Sequence, residues 1–286
     1  MEESPIMNDT IYMGEVEDAY EKIFNAWING EELPEFPQDA PPISPEQAKF
    51  YFERAKTYIN MDTIFEDSPV ENRIAVKRAL YNLELADKEE FLKLAEDYAP
   101  FEYMHKHKDT FFAAEGFLFP DTYTVESDVE IEEILSLMAN TFDEKLTASM
   151  RAQAAKMDLS IYDLITLASL VEREVRFPED RAIVAQVLLK RLKMNMPLQT
   201  DATLQYLMDA PKEEVSIADT QIDSPYNTYQ HVGLPPGPIA NPGMAAIEAV
   251  LYPADTDYLY FVADRSGHNH YAHTYEEHLN LVNKYR

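Results

Sequence analysis

Apolar positions along the chain recur at the spacing of helices over most of its length, and at the spacing of strands only near its end. From Ile11 to Gly30, Met13, Val16, Tyr20, Ile23, Phe24 and Trp27 trace one face of an amphipathic helix, and Gly30 supplies a stop. Residues 31–43 carry Pro34, Pro37, Pro41 and Pro42 among acids, the composition of an extended linker. Ser44-Pro45-Glu46-Gln47 and Ser68-Pro69-Val70-Glu71 each read as a capped helix start with proline at the first position. With the stretch beginning near Asp87 they predict a small, mainly helical region over 45–110. A long helix is predicted from about 130 to 156 and another from Glu179 to Met194, whose Ile183, Val184, Val187, Leu188 and Leu192 face inward.

Between those two lies the stretch around which the chain is organised. Ser160 and Asp163 form a capping box, and Leu164, Ala168, Val171 and Val175 follow the period of a buried helix face. Glu172 stands at the edge of that stripe. Partial desolvation there would disfavour its charged form, as a general acid requires. The same residue is spaced to pair with Arg176 one turn on, and the helix by itself favours that solvated pair. Glu174 points to nearly the opposite face, so it and Glu172 do not form a catalytic pair.

The remaining features are local. Ala114 to Tyr123 is an aromatic run broken by Gly116 and Pro120, where Glu115 is placed either to line a sugar-sized cleft or to satisfy a buried turn. Asp201 in Leu198-Gln199-Thr200-Asp201 is equally an N-cap and a site residue. Residues 223–243 form a loop dense in proline and glycine whose shape is fixed cheaply, as suits a binding surface, and Asn241 is expected to cap the helix that follows. Tyr258–Ala263 reads as a strand, Arg265-Ser266-Gly267 as a turn and Asn269–Ala272 as the returning strand. A last helix starts at Thr274, with Glu277 closing its capping box. His268, His270, His273 and His278 crowd this hairpin at spacings that fit no zinc motif, so no metal and no cofactor is expected.

Composition narrows the classes. The 286 residues, 46% hydrophobic, suffice for a sizeable core in one large or two ordinary domains. Fifty-two acidic against 24 basic residues give a formal charge of −28, which repels nucleic acid and anionic membranes. The absence of cysteine rules out disulfides, a thiol nucleophile and thiolate metal sites. No apolar run approaches the ~20 residues of a membrane span. The chain therefore reads as soluble, or as the soluble part of a longer protein.

Four stretches in order resemble the endolytic murein transglycosylase family, the YceG-like proteins. They are Glu115-Gly116 through Phe119-Pro120-Asp121-Thr122-Tyr123; Ala168-Ser169-Leu170-Val171-Glu172; Leu198-Gln199-Thr200-Asp201; and Tyr226-Asn227-Thr228-Tyr229 with Gly233-Leu234-Pro235-Pro236-Gly237. Leu259–Ala263 and Glu277-His278 are similar to that family too, so these motifs cover about 111–286. The resemblance implies an α+β fold: a helical N-terminal region, then a catalytic domain with helices packed on a small sheet. The expected divisions are 1–44, 45–110 and 111–286. It implies Glu172 as the single catalytic acid/base, reversing the reading from the helix alone. Glu115, Gln199, Thr200, Asp201, Tyr226, Asn227 and Thr228 are implied to line the glycan cleft. The implied reaction cleaves the bond from N-acetylmuramic acid to N-acetylglucosamine within a peptidoglycan strand, leaving a 1,6-anhydro end. The competing readings are a hydrolytic muramidase, with Glu115 or Asp201 as second carboxylate, and a non-catalytic wall-binding module. Expected partners are peptidoglycan strands and the glycan polymerases or penicillin-binding proteins of the wall. The expected protein is a monomer at the outer face of the bacterial cytoplasmic membrane. Members of the family usually carry a membrane-spanning helix and a small LysM-like region; no such helix is seen here, and 45–108 resembles that region poorly.

Overall fold

The computed structural model describes residues 58–60, 88–125, 129–208, 212 and 215–285, all within the unit Thr57–Arg286. The helix expected over 11–30, the linker over 31–43 and the helix starts at Ser44 and Ser68 lie outside these residues. The architecture is α+β: among the described residues eight α-helices accompany two small antiparallel sheets of two strands each.

The stretch after Asp87 is helix α1 (Lys88–Asp97), which packs on α2 (Ile131–Lys145). Strand β1 (Tyr58–Asn60) pairs with β2 (Thr122–Thr124), Ile59 opposite Tyr123. The single helix expected over 130–156 is two, because α2 ends at Lys145 and α3 (Ala148–Lys156) restarts after Thr147. Thr147 Oγ1 accepts the Met150 N–H at 3.3 Å, giving the second helix its own cap. Phe142, Leu146, Met150 and Ala154 are all buried at a spacing of four, so the apolar pattern runs through the break without marking it.

Helix α4 (Ile161–Glu174) is the hub, packing against α3, α5 (Arg181–Lys193), α6 (Asp201–Leu207) and α7 (Met244–Leu251). A 3₁₀ turn, Pro178–Asp180, precedes α5, so the helix predicted from Glu179 begins two residues later. Val184, Val187 and Leu188 of α5 are buried as expected, and Ile183 and Leu192 are half-buried. Two helices end on a left-handed residue, Asp158 after α3 and Asn195 after α5, the usual αL stop.

The second sheet pairs β3 (Tyr260–Ala263) with β4 (Asn269–Ala272), Tyr260 opposite Ala272 and Ala263 opposite Asn269. Asp264 Oδ1 accepts from the Ser266 and His268 N–H groups, and Gly267 at φ 91° completes the turn. Helix α8 (Tyr275–Tyr285) packs on both strands, and α5 packs on β3. The capping box at the start of α8 forms as read: Glu277 N–H donates to Thr274 Oγ1, while Glu277 Oε2 accepts from the His273 and Thr274 N–H groups.

Candidate active site

The site is built outward from α4. Asp163 N–H donates to Ser160 Oγ at 3.0 Å, and the Ser160 hydroxyl donates back to Asp163 Oδ2 at 2.6 Å. Every side chain from Leu164 to Val171 is buried, so the helix is enclosed all round rather than along one stripe. Its two buried hydroxyls are satisfied. Thr166 Oγ1 donates to the Tyr162 carbonyl; Ser169 Oγ donates to the Thr166 carbonyl and accepts the Ile239 N–H at 3.0 Å.

Enclosure ends at Glu172, whose side chain keeps 25% of its surface exposed. Its Oε2 accepts the Gly243 N–H at 3.3 Å, and its Oε1 lies 3.5 Å from Arg181 Nη2. Gly243 is the N-cap of α7, so the carboxylate faces the positive end of a helix as well as a guanidinium. Both contacts stabilise negative charge there. The pair with Arg176 does not form: α4 stops at Glu174 and Val175 is extended, which takes Arg176 off the helix and over the Phe177 ring. Arg181 has no sequence signal as partner, because it lies beyond a helix end and a 3₁₀ turn.

Glu174 turns the other way and accepts the Ala202 N–H at 3.0 Å. It thereby caps α6, one of the two tasks left open for Asp201. Asp201 is instead the first helical residue, after Thr200, and its carboxylate accepts the Tyr229 hydroxyl. Gln199, directly before the N-cap Thr200 of α6, holds a left-handed backbone at φ 53°, and in a non-glycine residue that conformation costs about 1–3 kcal/mol. Its surroundings impose the cost. The Gln199 N–H donates to the Thr228 carbonyl, and the buried Arg191 guanidinium reaches the Leu198 carbonyl at 2.8 Å and Gln199 Oε1 at 3.4 Å. Burial pushes the Arg191 pKa down, and its carbonyl partners, with the Tyr260 ring 5.0 Å away, compensate the charge.

The other residues implied for the cleft divide. Thr200 and Thr228 are buried and join Thr203 in a hydroxyl cluster; Thr228 Oγ1 accepts the Thr200 N–H at 3.1 Å. Asn227 is fully buried: Nδ2 donates to the Thr220 and Ile222 carbonyls, and Oδ1 accepts the Tyr229 N–H. Thr200 and Thr228 hold the 199–201 and 226–229 segments together, Asn227 ties the second of these to the turn at 220–222, and none of the three faces solvent. Tyr226 is buried against Tyr206, ring centroids 4.9 Å apart, and the Tyr206 hydroxyl donates to Glu115. The Glu115 segment is tied to the loop through Asn241, whose Oδ1 accepts the Gly116 and Leu118 N–H groups at 2.8 and 3.1 Å. Asn241 is therefore not the cap of α7, which starts three residues later. Gly116 has φ 92°, and a Cβ there would sit 2.5 Å from the Pro238 ring, so the two loops interlock at that glycine.

Two concavities flank these elements. One, of about 300 Å³, is walled by Gln199, Asp201, Tyr229, Tyr260, Asn269 and Tyr275 among others. It gathers two of the residues implied by sequence, and Glu172 is not on its wall. The other, more open and of about 500 Å³, carries Pro235 and Pro236 of the 223–243 loop beside His107 and Tyr162. The hairpin histidines have separate partners: His268 stacks on Phe177, His270 meets Asp264 at 3.0 Å and His273 meets Asp257 at 2.9 Å. Among the described residues no three His, Asp or Glu side chains are grouped to hold a metal.

Residues 45–284 match the sequence model of the YceG-like family. The chain belongs to that family. The match reaches well upstream of the motifs, which begin near residue 111. The chain is similar to the endolytic murein transglycosylase of Bacillus subtilis strain 168, with 43% identity over 175 residues, 60% of this chain and 48% of that protein. It is 39% identical over 173 residues to the Streptococcus pneumoniae D39 protein of the same name, covering 58% of this chain and 31% of that one. The chain thus spans about half or less of the curated relatives it matches. A crystal structure of a yceG-like protein from Listeria monocytogenes superposes with a TM-score of 0.67 at 30% identity, over 82% of this chain and 80% of the other.

Proposed function

We propose that the chain is the catalytic part of an endolytic lytic transglycosylase of peptidoglycan, with Glu172 as its acid and base. The observation that carries this reading is the placement of one carboxylate where a helix enclosed on every side meets solvent, held by Arg181 and the α7 N-terminus. The names of the Bacillus and Streptococcus relatives supply the reaction class.

In the proposed reaction the Glu172 carboxyl group gives its proton to the oxygen between N-acetylmuramic acid C1 and N-acetylglucosamine. The C1–O bond breaks, and positive charge develops on the muramyl ring. The Glu172 carboxylate then takes the proton of the muramyl C6 hydroxyl as O6 bonds to C1, closing the 1,6-anhydro ring. No water enters and the carboxyl group is regenerated, so a single acid suffices where a hydrolytic glycosidase uses two. Arg181 and the Gly243 N–H hold the Glu172 carboxyl group in one place for both proton transfers. Thr200, Asn227 and Thr228 act by fixing the segments that present Gln199 and Asp201, while Glu115 and Tyr226 pack beside Tyr206. The substrate places the protein at the outer face of the cytoplasmic membrane, where glycan polymerases are its expected neighbours and a monomer suffices.

Mass spectrometry of products from uncrosslinked peptidoglycan strands tests the reading. Wild type is expected to yield anhydromuramyl ends. Glu172→Gln is expected to lose at least about a hundredfold in rate with an unchanged melting temperature. Products one water heavier would establish a hydrolase, and near-normal turnover by Glu172→Gln would remove it as the acid.

A further inference from the structure

Asp180 occupies the N-cap position of α5, and aspartate is among the residues best suited to close that end by accepting the first free N–H groups. Its carboxylate makes no such bond. It turns out of the helix to the hairpin instead, where Oδ1 accepts the Tyr271 hydroxyl at 2.6 Å and Oδ2 accepts the Asn269 N–H at 3.2 Å and Nδ2 at 3.4 Å. Asp180 is buried, so these donors are what offsets the loss of water around its charge. Burial and the bond to Asp180 hold the Tyr271 hydroxyl well above its usual pKa, and at neutral pH it stays a donor.

The turn of the hairpin grips the same connection. The His268 ring stacks on Phe177 with centroids 4.0 Å apart, and Gly267 lies so close that a Cβ there would meet Arg176 Cδ at 2.7 Å. Contacts at 176, 177 and 180 thus fasten the crossing from α4 to α5 onto the hairpin. The consequence falls on the next residue. Arg181 is the first of α5, and among the described residues its only ion-pair partner is Glu172, at 3.5 Å. Its Nε is buried without an acceptor, so no bond there steers the guanidinium. Its approach is set by where the first turn of α5 holds residue 181, and Asp180 secures that turn through the hairpin in place of a cap.

We propose that Asp180 is a positioning residue for Glu172: clamped by Asn269 and Tyr271, it fixes the start of α5 and so the approach of Arg181 to the carboxyl group. The proposal rests on the reading above of Glu172 as the acid and base.

The test combines rates of product formation from uncrosslinked peptidoglycan strands with amide exchange in the full chain. The variants are Asp180→Ala, Tyr271→Phe, Arg181→Ala, and each of the first two combined with the third. Asp180→Ala removes all three bonds, while Tyr271→Phe removes one and keeps the ring, so the second remains readable if the first melts below the assay temperature. At Ala185, whose N–H closes the first turn of α5, exchange is expected to quicken at least about tenfold in Asp180→Ala and about threefold in Tyr271→Phe. The same factors are expected as losses in kcat, with KM within about twofold of wild type. Each double variant is expected to turn over no more slowly than Arg181→Ala alone, because the loss acts through that side chain; damage to the fold at large would multiply with it. Losses that multiply, a loss confined to KM, unchanged exchange at Ala185, or full activity in Arg181→Ala would each overturn the positioning role and leave the reaction at Glu172 standing. Faster exchange at Ala185 without anhydromuramyl product from wild type, or with near-normal turnover by Glu172→Gln, would remove that reaction and the role in it, leaving only a clamp on α5.

Discussion

Glu174 and Asp201 show how little a residue's type says about its task. Either carboxylate could satisfy the start of α6, and the structure gives that work to Glu174, 28 positions upstream of the N–H it accepts. Glu174→Ala is therefore expected to cost about 0.5–2 kcal/mol in urea unfolding, the usual value of a lost helix cap. Asp201→Asn should leave the urea midpoint nearly unmoved and fall on the rate of product formation. Stability lost at Asp201 with activity kept would return it to a structural role. Sequence reading could not separate the two, since a cap supplied from another helix leaves no local spacing. Glu172 was legible only through its motif, because periodicity alone paired it with Arg176. Arg181 and Asn269 were not legible, as their partners are set by the turn at 175–180 and by the hairpin's approach to it.

At the scale of elements, the strongest local signals are the reliable ones. The box at Thr274–Glu277 and the side-chain cap of Ser160 on Asp163 form as spaced, because each closes within one turn and needs no tertiary partner. The break at Thr147 and the role of Asn241 escaped for the opposite reason. One is hidden by apolar spacing that continues across it, and the other depends on N–H groups 125 and 123 positions away. The joint between α4 and the 233–243 loop is the Ser169 hydroxyl, which accepts the buried Ile239 N–H. Ser169→Ala strands that donor and is expected to cost about 1–3 kcal/mol. The loss should appear in urea unfolding and as faster amide exchange at Ile239; unchanged exchange there would mean that the loop is held by its prolines alone.

For the molecule as a whole, the buried tyrosines set a limit on the alkaline side. Burial pushes the hydroxyls of Tyr123 and Tyr162 up to about 12, with Glu115 and Asp163 adding to the rise at Tyr162. A raised folded-state pKa gives stability that is complete below the unfolded value near 10 and is lost as pH climbs through 12. The melting temperature is therefore expected to fall steeply between pH 10 and 12, each tyrosine contributing on the order of 2 kcal/mol. Replacing Tyr123 by Phe should flatten that fall; an unaltered slope would locate the alkaline weakness elsewhere. The fold class was readable through the family resemblance, while periodicity marked the individual helices and the hairpin before the last helix. The way helices enclose α4 on every side was not, since a fully buried helix presents no polar face to reveal its orientation. One joint in that enclosure has a further meaning. Because neighbouring residues Asp180 and Arg181 hold Asn269 and Glu172, the seven residues from Arg173 to Glu179 act as a ruler between hairpin and carboxylate. Lengthening that ruler by one residue would put the two out of step while leaving the helix and the hairpin themselves intact.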